Sequence, residues 1–427
     1  MDRIDEKKND DDDDDDDDDG DISKDPNPNW TRAIGGRGGG LYQPSISPKI
    51  RMYHNNKSTS ISRLKPVIEA QSKPPKSNHN NNNDNNNKEQ DAIAMPPPPA
   101  RAVIAPEHWN DDGYFDEKIR VVRNEKNQEE EEFCVYRADI NDSDREEEGI
   151  TSIICLHGCP YAALSWAPFV KQFRNSSTNT NTKIYAIDLR NHGESLQMRD
   201  KNDFSLERMT DDIIFILKEI LDDSKAKKNK CVLLGHSMGA SVATSVALRE
   251  DIWKSNERIK LAGLIVIDVV EGSALKALPM MSLQLLNRPT SFRTMRDAFR
   301  WCVGFGGSTK NLESARISFP AQLKSNDEDD RSSTLVFRCD VVKTEPYWKE
   351  WYLGMSERFL KAKTSKALLL AGTDRLDTTL TIAQMQGKFQ MVVFPQSGHA
   401  IQEDEPEKFT QVIIDFLARY VCDSNLE

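Results

Sequence analysis

The sequence predicts an α/β fold, a mostly parallel central sheet flanked by helices, on three observations. Short apolar runs alternate with segments of 3.6-residue period. A glycine-flanked serine, GHSMG, stands where one such run meets a helix start. One interval of roughly ninety residues breaks the rhythm where a simple connection needs only a few. Strand–helix alternation of this kind lays helices over both faces of a parallel sheet.

The chain has 427 residues, and its first hundred or so lack the composition of a core. Asp10 to Asp19 is an unbroken acidic run, Asn80 to Asn87 is almost all asparagine, and Pro96 to Pro99 is a proline tract. Self-repelling charge and polar low complexity bury too little apolar surface to offset chain entropy, so residues 1–104 are expected to form a disordered tail. Residues 105–424 are then long enough for one large α/β domain.

Within that domain EKIRVV and EEFCVYRA suggest an opening strand pair. ITSIICL (150–156), KIYAIDL (183–189), KCVLLG (230–235), LIVIDVV (264–270), KALLLAG (366–372) and FQMVVFP (389–395) follow as further strands. Between them, Ile213, Ile214, Leu217, Ile220 and Leu221 make one helical stripe; Phe409, Val412, Ile413, Phe416, Leu417 and Tyr420 make another. The interval from about 272 to 365, rich in Met, Trp, Phe and Arg, reads as an inserted, largely helical cap.

The formal charge of -12 owes ten of its negative charges to the aspartate run, so the remainder is nearly neutral. That argues against nucleic acid as a ligand, which calls for a basic patch. The seven cysteines are odd in number and contain no CxxC pair, as expected of reduced thiols. The N-terminus lacks a signal-peptide core and no run approaches spanning length, so the expected location is cytoplasmic or nuclear, away from the membrane.

GHSMG, residues 235–239, follows a strand and precedes the small-residue helix start ASVATSVAL. This is the context in which a strained strand-to-helix turn exposes a nucleophilic serine, here Ser237. A serine hydroxyl needs a base. Of the seven histidines, His54 and His79 lie in the tail and His108 at its edge, His157 and His236 belong to loops around the serine, and His192 lies in a turn. His399, in FPQSGHAIQED after the last strand, stands where this order of elements puts the general base. The oxyanion hole needs two backbone N–H groups. Met238, after the serine, is one candidate; in the loop HGCPYAALSW, Pro160 has no N–H to give, which leaves Cys159. A competing reading makes Cys159 itself the nucleophile, but the sequence puts no second base near it. For the acid, Asp268 and Asp374 both fit the order Ser, Asp, His; Asp374 follows the next-to-last strand, where a generic hydrolase carries its carboxylate, and motif logic leans towards it.

HG..YAALSW, AIDLRNHGES, LLGHSMGASVA, IDVVEGSALKAL, NLESARIS, KTEPYWKEWYLGMS and the stretch LLLAGTDRLD through SGHAIQEDEP together resemble the protein phosphatase methylesterase family from about residue 105 to 421. The resemblance implies an α/β-hydrolase fold with an inserted helical cap and a serine carboxylesterase activity. It also implies a substrate, the C-terminal leucine methyl ester of the protein phosphatase 2A catalytic subunit. Carried onto this chain, the family's triad is Ser237, Asp268 and His399, and Asp374 is left a structural role. An aspartate inside LIVIDVVEG would then tolerate its apolar setting by pairing with His399. The chain departs from the family where Gly158, Cys159 and Pro160 replace a run of three glycines. Met280, Met281, Trp348 and Trp351 of the cap are candidate walls for a leucine side chain and equally candidates for plain packing. No metal or cofactor is expected. Two other functions compete: a phosphatase-binding inhibitor without turnover, and a small-molecule serine esterase.

Overall fold

The computed structural model describes residues 105–111, 113–124, 129–140, 149–176, 181–196, 198–221, 229–254, 258–304, 306–326, 334–372 and 376–422. The tail expected over residues 1–104 therefore lies outside the described residues, as does Asp374. The chain opens with β1 (Glu117–Arg123), β2 (Glu131–Ile140) and β3 (Ile150–Leu156), then α1 (Ala167–Asn175), β4 (Thr182–Ile187) and α2 (Leu206–Leu221). Next come β5 (Asn229–His236), α3 (Met238–Ala247), α4 (Glu250–Trp253) and β6 (Ile259–Ile267). The interrupting interval holds α5 (Glu271–Leu286), β7 (Ser291–Phe292), α6 (Met295–Val303), α7 (Leu312–Ser318), β8 (Leu323–Asn326), β9 (Thr334–Phe337), α8 (Trp348–Tyr352) and α9 (Met355–Lys361). The chain then resumes with β10 (Ser365–Leu370), α10 (Thr378–Met385), β11 (Gln390–Val393), α11 (Ile401–Asp404) and α12 (Pro406–Leu417).

The eight-stranded sheet has the order β1-β2-β4-β3-β5-β6-β10-β11. β2 runs antiparallel to both neighbours, and every pairing from β4 to β11 is parallel. The central strands are apolar on both faces because both are covered. On one side α2, α3 and the cap helices enclose Ile154, Leu156, Leu233, Leu264 and Leu368. On the other, Phe169 and Phe173 of α1 and Phe409, Ile413 and Phe416 of α12 close over Ile153, Val232, Ile265 and Leu369. The two helical stripes read from the sequence are thus the sheet-facing sides of α2 and α12, with Tyr420 lying past the end of α12.

One expectation gains a detail and another needs correction. The cap interval is not only helical: β7, β9 and β8 form a small antiparallel sheet over its own aromatic cluster, Phe292, Phe299 and Phe319 with Trp301 and Phe337 packed against them. Strands of two to four residues carry too short an alternation to be read. The run LIVIDVV also stops being a strand at Ile267, because Asp268 takes φ 50, a left-handed conformation that a strand cannot continue through.

Candidate active site

Parallel strands deliver their C-terminal ends to one edge of the sheet, and Ser237, Asp268 and His399 all lie just beyond such ends, after β5, β6 and β11. At Ser237 the backbone turns sharply from strand into helix with φ 51 and ψ -117. The turn is held from both sides: the Ser237 N–H donates to Ile267 O at 3.0 Å, and Ala240 N–H donates to Ser237 O at 2.9 Å. Gly239 is required by crowding, since a Cβ there would stand 2.3 Å from Leu156 O. Strain of this kind persists only where surrounding structure over-determines it, and it concentrates at functional sites.

The backbone of Asp268 is strained as well and is pinned by its N–H to Leu369 O at 2.8 Å. Its carboxylate is buried and shared out: Oδ1 accepts the Ala371 N–H at 2.9 Å, and Oδ2 lies 2.7 Å from His399 Nδ1. A carboxylate at that nitrogen places the proton on Nδ1 and leaves Nε2 as the basic atom. His399 is also held through its backbone. Its carbonyl receives the Nε2–H of His236 at 2.9 Å, while Gln402 Nε2 approaches His236 Nδ1 at 3.4 Å. Burial, and then the neighbouring His399, push the His236 imidazole down to about 3, so it serves as a neutral bracket. Behind it Glu403 receives the hydroxyls of Ser165 and Ser318 at 2.5 and 2.9 Å; burial raises its carboxyl to about 8.

The loop after β3 closes the other side. A Cβ on Gly158 would lie 2.9 Å from Ser237 Cβ, so this glycine lets the loop lie directly on the serine, with Cys159 next in line. His157 is fixed in one tautomer, Nδ1–H to Gly158 O at 2.9 Å and Nε2 accepting Leu189 N–H at 3.0 Å. From the cap, the buried Tyr352 neighbours Ser237, and burial lifts its phenol to about 12, keeping it neutral. Sequence reasoning missed Tyr352, because nothing in EPYWKEWYLGMS shows which aromatic faces the serine.

Of the four cap residues weighed as pocket walls, Trp348 and Trp351 are core. Their indole N–H groups donate to Thr344 Oγ1 and Phe204 O at 2.8 Å each. Met280 is 58% exposed, and Met281 packs on the rim of the same core. β4 lies beside β3 in the sheet, so the turn after β4 sets the His192 ring 5.0 Å from the ring of His157, in the loop that also carries Cys159, a juxtaposition that sequence distance hides.

The chain matches the alpha/beta hydrolase family over residues 153–412. The same fold is seen in a peroxisomal alpha-beta-hydrolase from Saccharomyces cerevisiae, at a TM-score of 0.55 and 14% identity, covering 73% of this chain and 90% of that one. It recurs in E-2-(acetamidomethylene)succinate hydrolase, at a TM-score of 0.52 and 15% identity, covering 71% and 100%. Fold and strand-end serine turn together define an α/β-hydrolase. Among curated relatives, protein phosphatase methylesterase 1 of Schizosaccharomyces pombe is 38% identical over 267 residues, covering 62% of this chain and 74% of the relative. The human protein of that name is 35% identical over 354 residues, covering 74% and 85%. This chain belongs to the protein phosphatase methylesterase family, and is a serine hydrolase acting on ester bonds.

Proposed function

We propose that this enzyme removes the methyl ester from the C-terminal leucine of the protein phosphatase 2A catalytic subunit, with Ser237, His399 and Asp268 as its triad. His399 Nε2 takes the Ser237 proton as Oγ attacks the ester carbonyl, and Asp268 steadies the imidazolium. The oxyanion meets the backbone N–H groups of Met238 and Cys159; the first of these opens α3, whose N-terminus favours negative charge. Collapse of the tetrahedral intermediate returns the proton to the leaving methoxide as methanol. Water, activated by the same histidine, then frees the carboxylate and the serine.

The observation that carries this reading is the 2.7 Å contact between His399 and Asp268 on the strand edge that also bears Ser237. The substrate rests on the printed names of relatives such as those of fission yeast and human. Incubating the purified protein with methylated phosphatase and following the C-terminal peptide by mass spectrometry tests it: the ester mass disappears with wild-type protein and persists with Ser237→Ala. Ester that survives the wild-type protein while small esters are cleaved would refute the substrate and leave the chemistry standing.

A further inference from the structure

His399 stands in the turn between β11 and α11, and its side chain is 43% exposed, so packing alone does not locate it. Polar contacts do. His236 and Asp268 hold the residue itself. The three residues before it are held as well, and two of those contacts lead to the cap. Lys310 Nζ donates to Gln396 O at 2.9 Å, the Ser397 hydroxyl donates to Glu405 Oε1 at 2.6 Å, and the Gly398 N–H donates to Asp404 Oδ2 at 2.5 Å. The other oxygen of Asp404 accepts the Thr309 hydroxyl at 2.7 Å and the Lys310 N–H at 2.6 Å. Asp404 is the last residue of α11, whereas Thr309 and Lys310 lie in the cap, in the turn between α6 and α7. Thr309 is buried, so its hydroxyl gives up water for this contact. The same turn touches the loop after β3, where the Tyr161 hydroxyl donates to Ser308 O at 2.8 Å. α11 has a separate anchor on α7: the hydroxyls of Ser314 and Ser318 donate to Glu403 O and Oε2 at 2.7 and 2.9 Å. The helix is therefore fixed without Asp404, whose carboxylate is left to serve the turn before it.

We propose that Asp404 is a positioning residue for the general base: its carboxylate joins the histidine turn to the cap turn Ser308–Lys310, so that the reach of His399 to Ser237 is set by the cap. The role rests on His399 acting as the base. A carboxylate suits the task because it offers only acceptors, one oxygen to each turn. An amide offers one acceptor oxygen and two N–H donors. Asparagine at 404 would therefore point its amino group either at the Gly398 N–H or at the two cap donors, and one of the turns is released. The Gly398 peptide lies directly before His399, so a rotation there is carried to the imidazole. A misplacement of about 1 Å costs about 10²-fold in rate. Asp404 takes no proton from the serine and makes no bond to the ester; it acts through His399.

Steady-state hydrolysis of p-nitrophenyl acetate by the full chain, with a thermal melt of each variant, tests the role. Asp404→Asn is expected to melt cooperatively near the wild-type temperature and to lose about 10²-fold in kcat, with KM within about twofold. Thr309→Val leaves the Lys310 N–H in place and should lose about tenfold, the scale of one hydrogen bond. Thr309→Ser keeps the hydroxyl and should recover that loss. Full activity in well-folded Asp404→Asn overturns the positioning role. So does a loss that serine at 309 does not recover, or one that appears in KM with kcat unchanged. If Asp404→Asn fails to fold, the two Thr309 variants decide. His399→Ala separates the role from the reading beneath it. An active His399→Ala overturns the base and the positioning role together, whereas an inactive one beside a fully active Asp404→Asn leaves the triad standing and overturns the positioning role alone.

Discussion

At the scale of single residues, the telling feature is Asp268, an aspartate with φ 50 at the end of an apolar strand. A buried carboxylate without partners is costly, and this one has two, the Ala371 N–H and His399. The arrangement makes a sharp prediction. Asp268→Asn keeps the shape but favours the wrong imidazole tautomer, and the corresponding change in a serine protease lowers kcat about 10⁴-fold. A fall of that order is expected in steady-state ester hydrolysis, provided the variant still melts cooperatively near the wild-type temperature. Asp374→Asn should lose far less. The reverse ranking would transfer the role to Asp374.

At the scale of elements, the segment between β4 and α2 has to hold its shape, since it carries His192 and supports the cap. A buried ionic cluster does this. Glu131 of β2 is fully buried and faces Arg123, Arg190, Arg199 and Arg208, while Asp212 of α2 takes Arg123 at 2.7 Å and Arg190 at 2.6 Å. Arg190 also donates to the carbonyls of Asp200 and Asp203, and Leu206 N–H donates to Glu350 of α8, so the cluster reaches the cap through backbone. Burial alone would raise the Glu131 carboxyl, but hydrogen bonds from Arg208 and Arg123 hold it down at about 2. Removing one member of such a buried cluster costs about 3–5 kcal/mol, because its partners stay buried without it. Glu131→Gln should therefore unfold at markedly lower urea concentration at pH 7. The sign with pH follows from the depressed folded value: the contribution is complete above the ordinary 4.5 and is lost as pH falls towards 2. The gap between wild type and variant should therefore narrow in acid, and urea titrations at pH 7 and pH 3 decide it; a constant gap would mean that the carboxylate is not held by the arginines.

At the scale of the whole molecule, every strand of the main sheet and each proposed catalytic group lies between residues 117 and 401. Deleting residues 1–100 should accordingly leave kcat on a small ester within about twofold of the full chain, since the sheet, the cap and the strand-end edge remain. A large drop in a stopped assay of the truncated protein would assign that segment a part in catalysis. The cap is a different matter. Tyr352 lies beside Ser237, and Glu271 at the start of α5 accepts the Gly354 and Ser356 N–H groups, so the inserted interval is stitched to the site at both its beginning and its end.

What the sequence determined by itself is what local pattern carries. Apolar runs and 3.6-residue stripes marked the strands and the sheet-facing sides of α2 and α12, because burial on the two faces of a parallel sheet leaves a periodic trace. GHSMG marked the turn at Ser237, because only glycine tolerates the contacts made at position 239. His399 emerged by elimination, and the family resemblance named Asp268 where motif order leaned towards Asp374. Tertiary structure decided what sequence distance conceals. It set Asp268 Oδ2 at 2.7 Å from His399 Nδ1 across 131 residues, brought the His192 ring to His157 through the adjacency of β3 and β4, and set Tyr352 beside the serine. It also turned Trp348 and Trp351 into core. The physical reason is that periodicity records whether a residue is buried, whereas its neighbour across the core is chosen by the order of strands in the sheet, which no local pattern encodes.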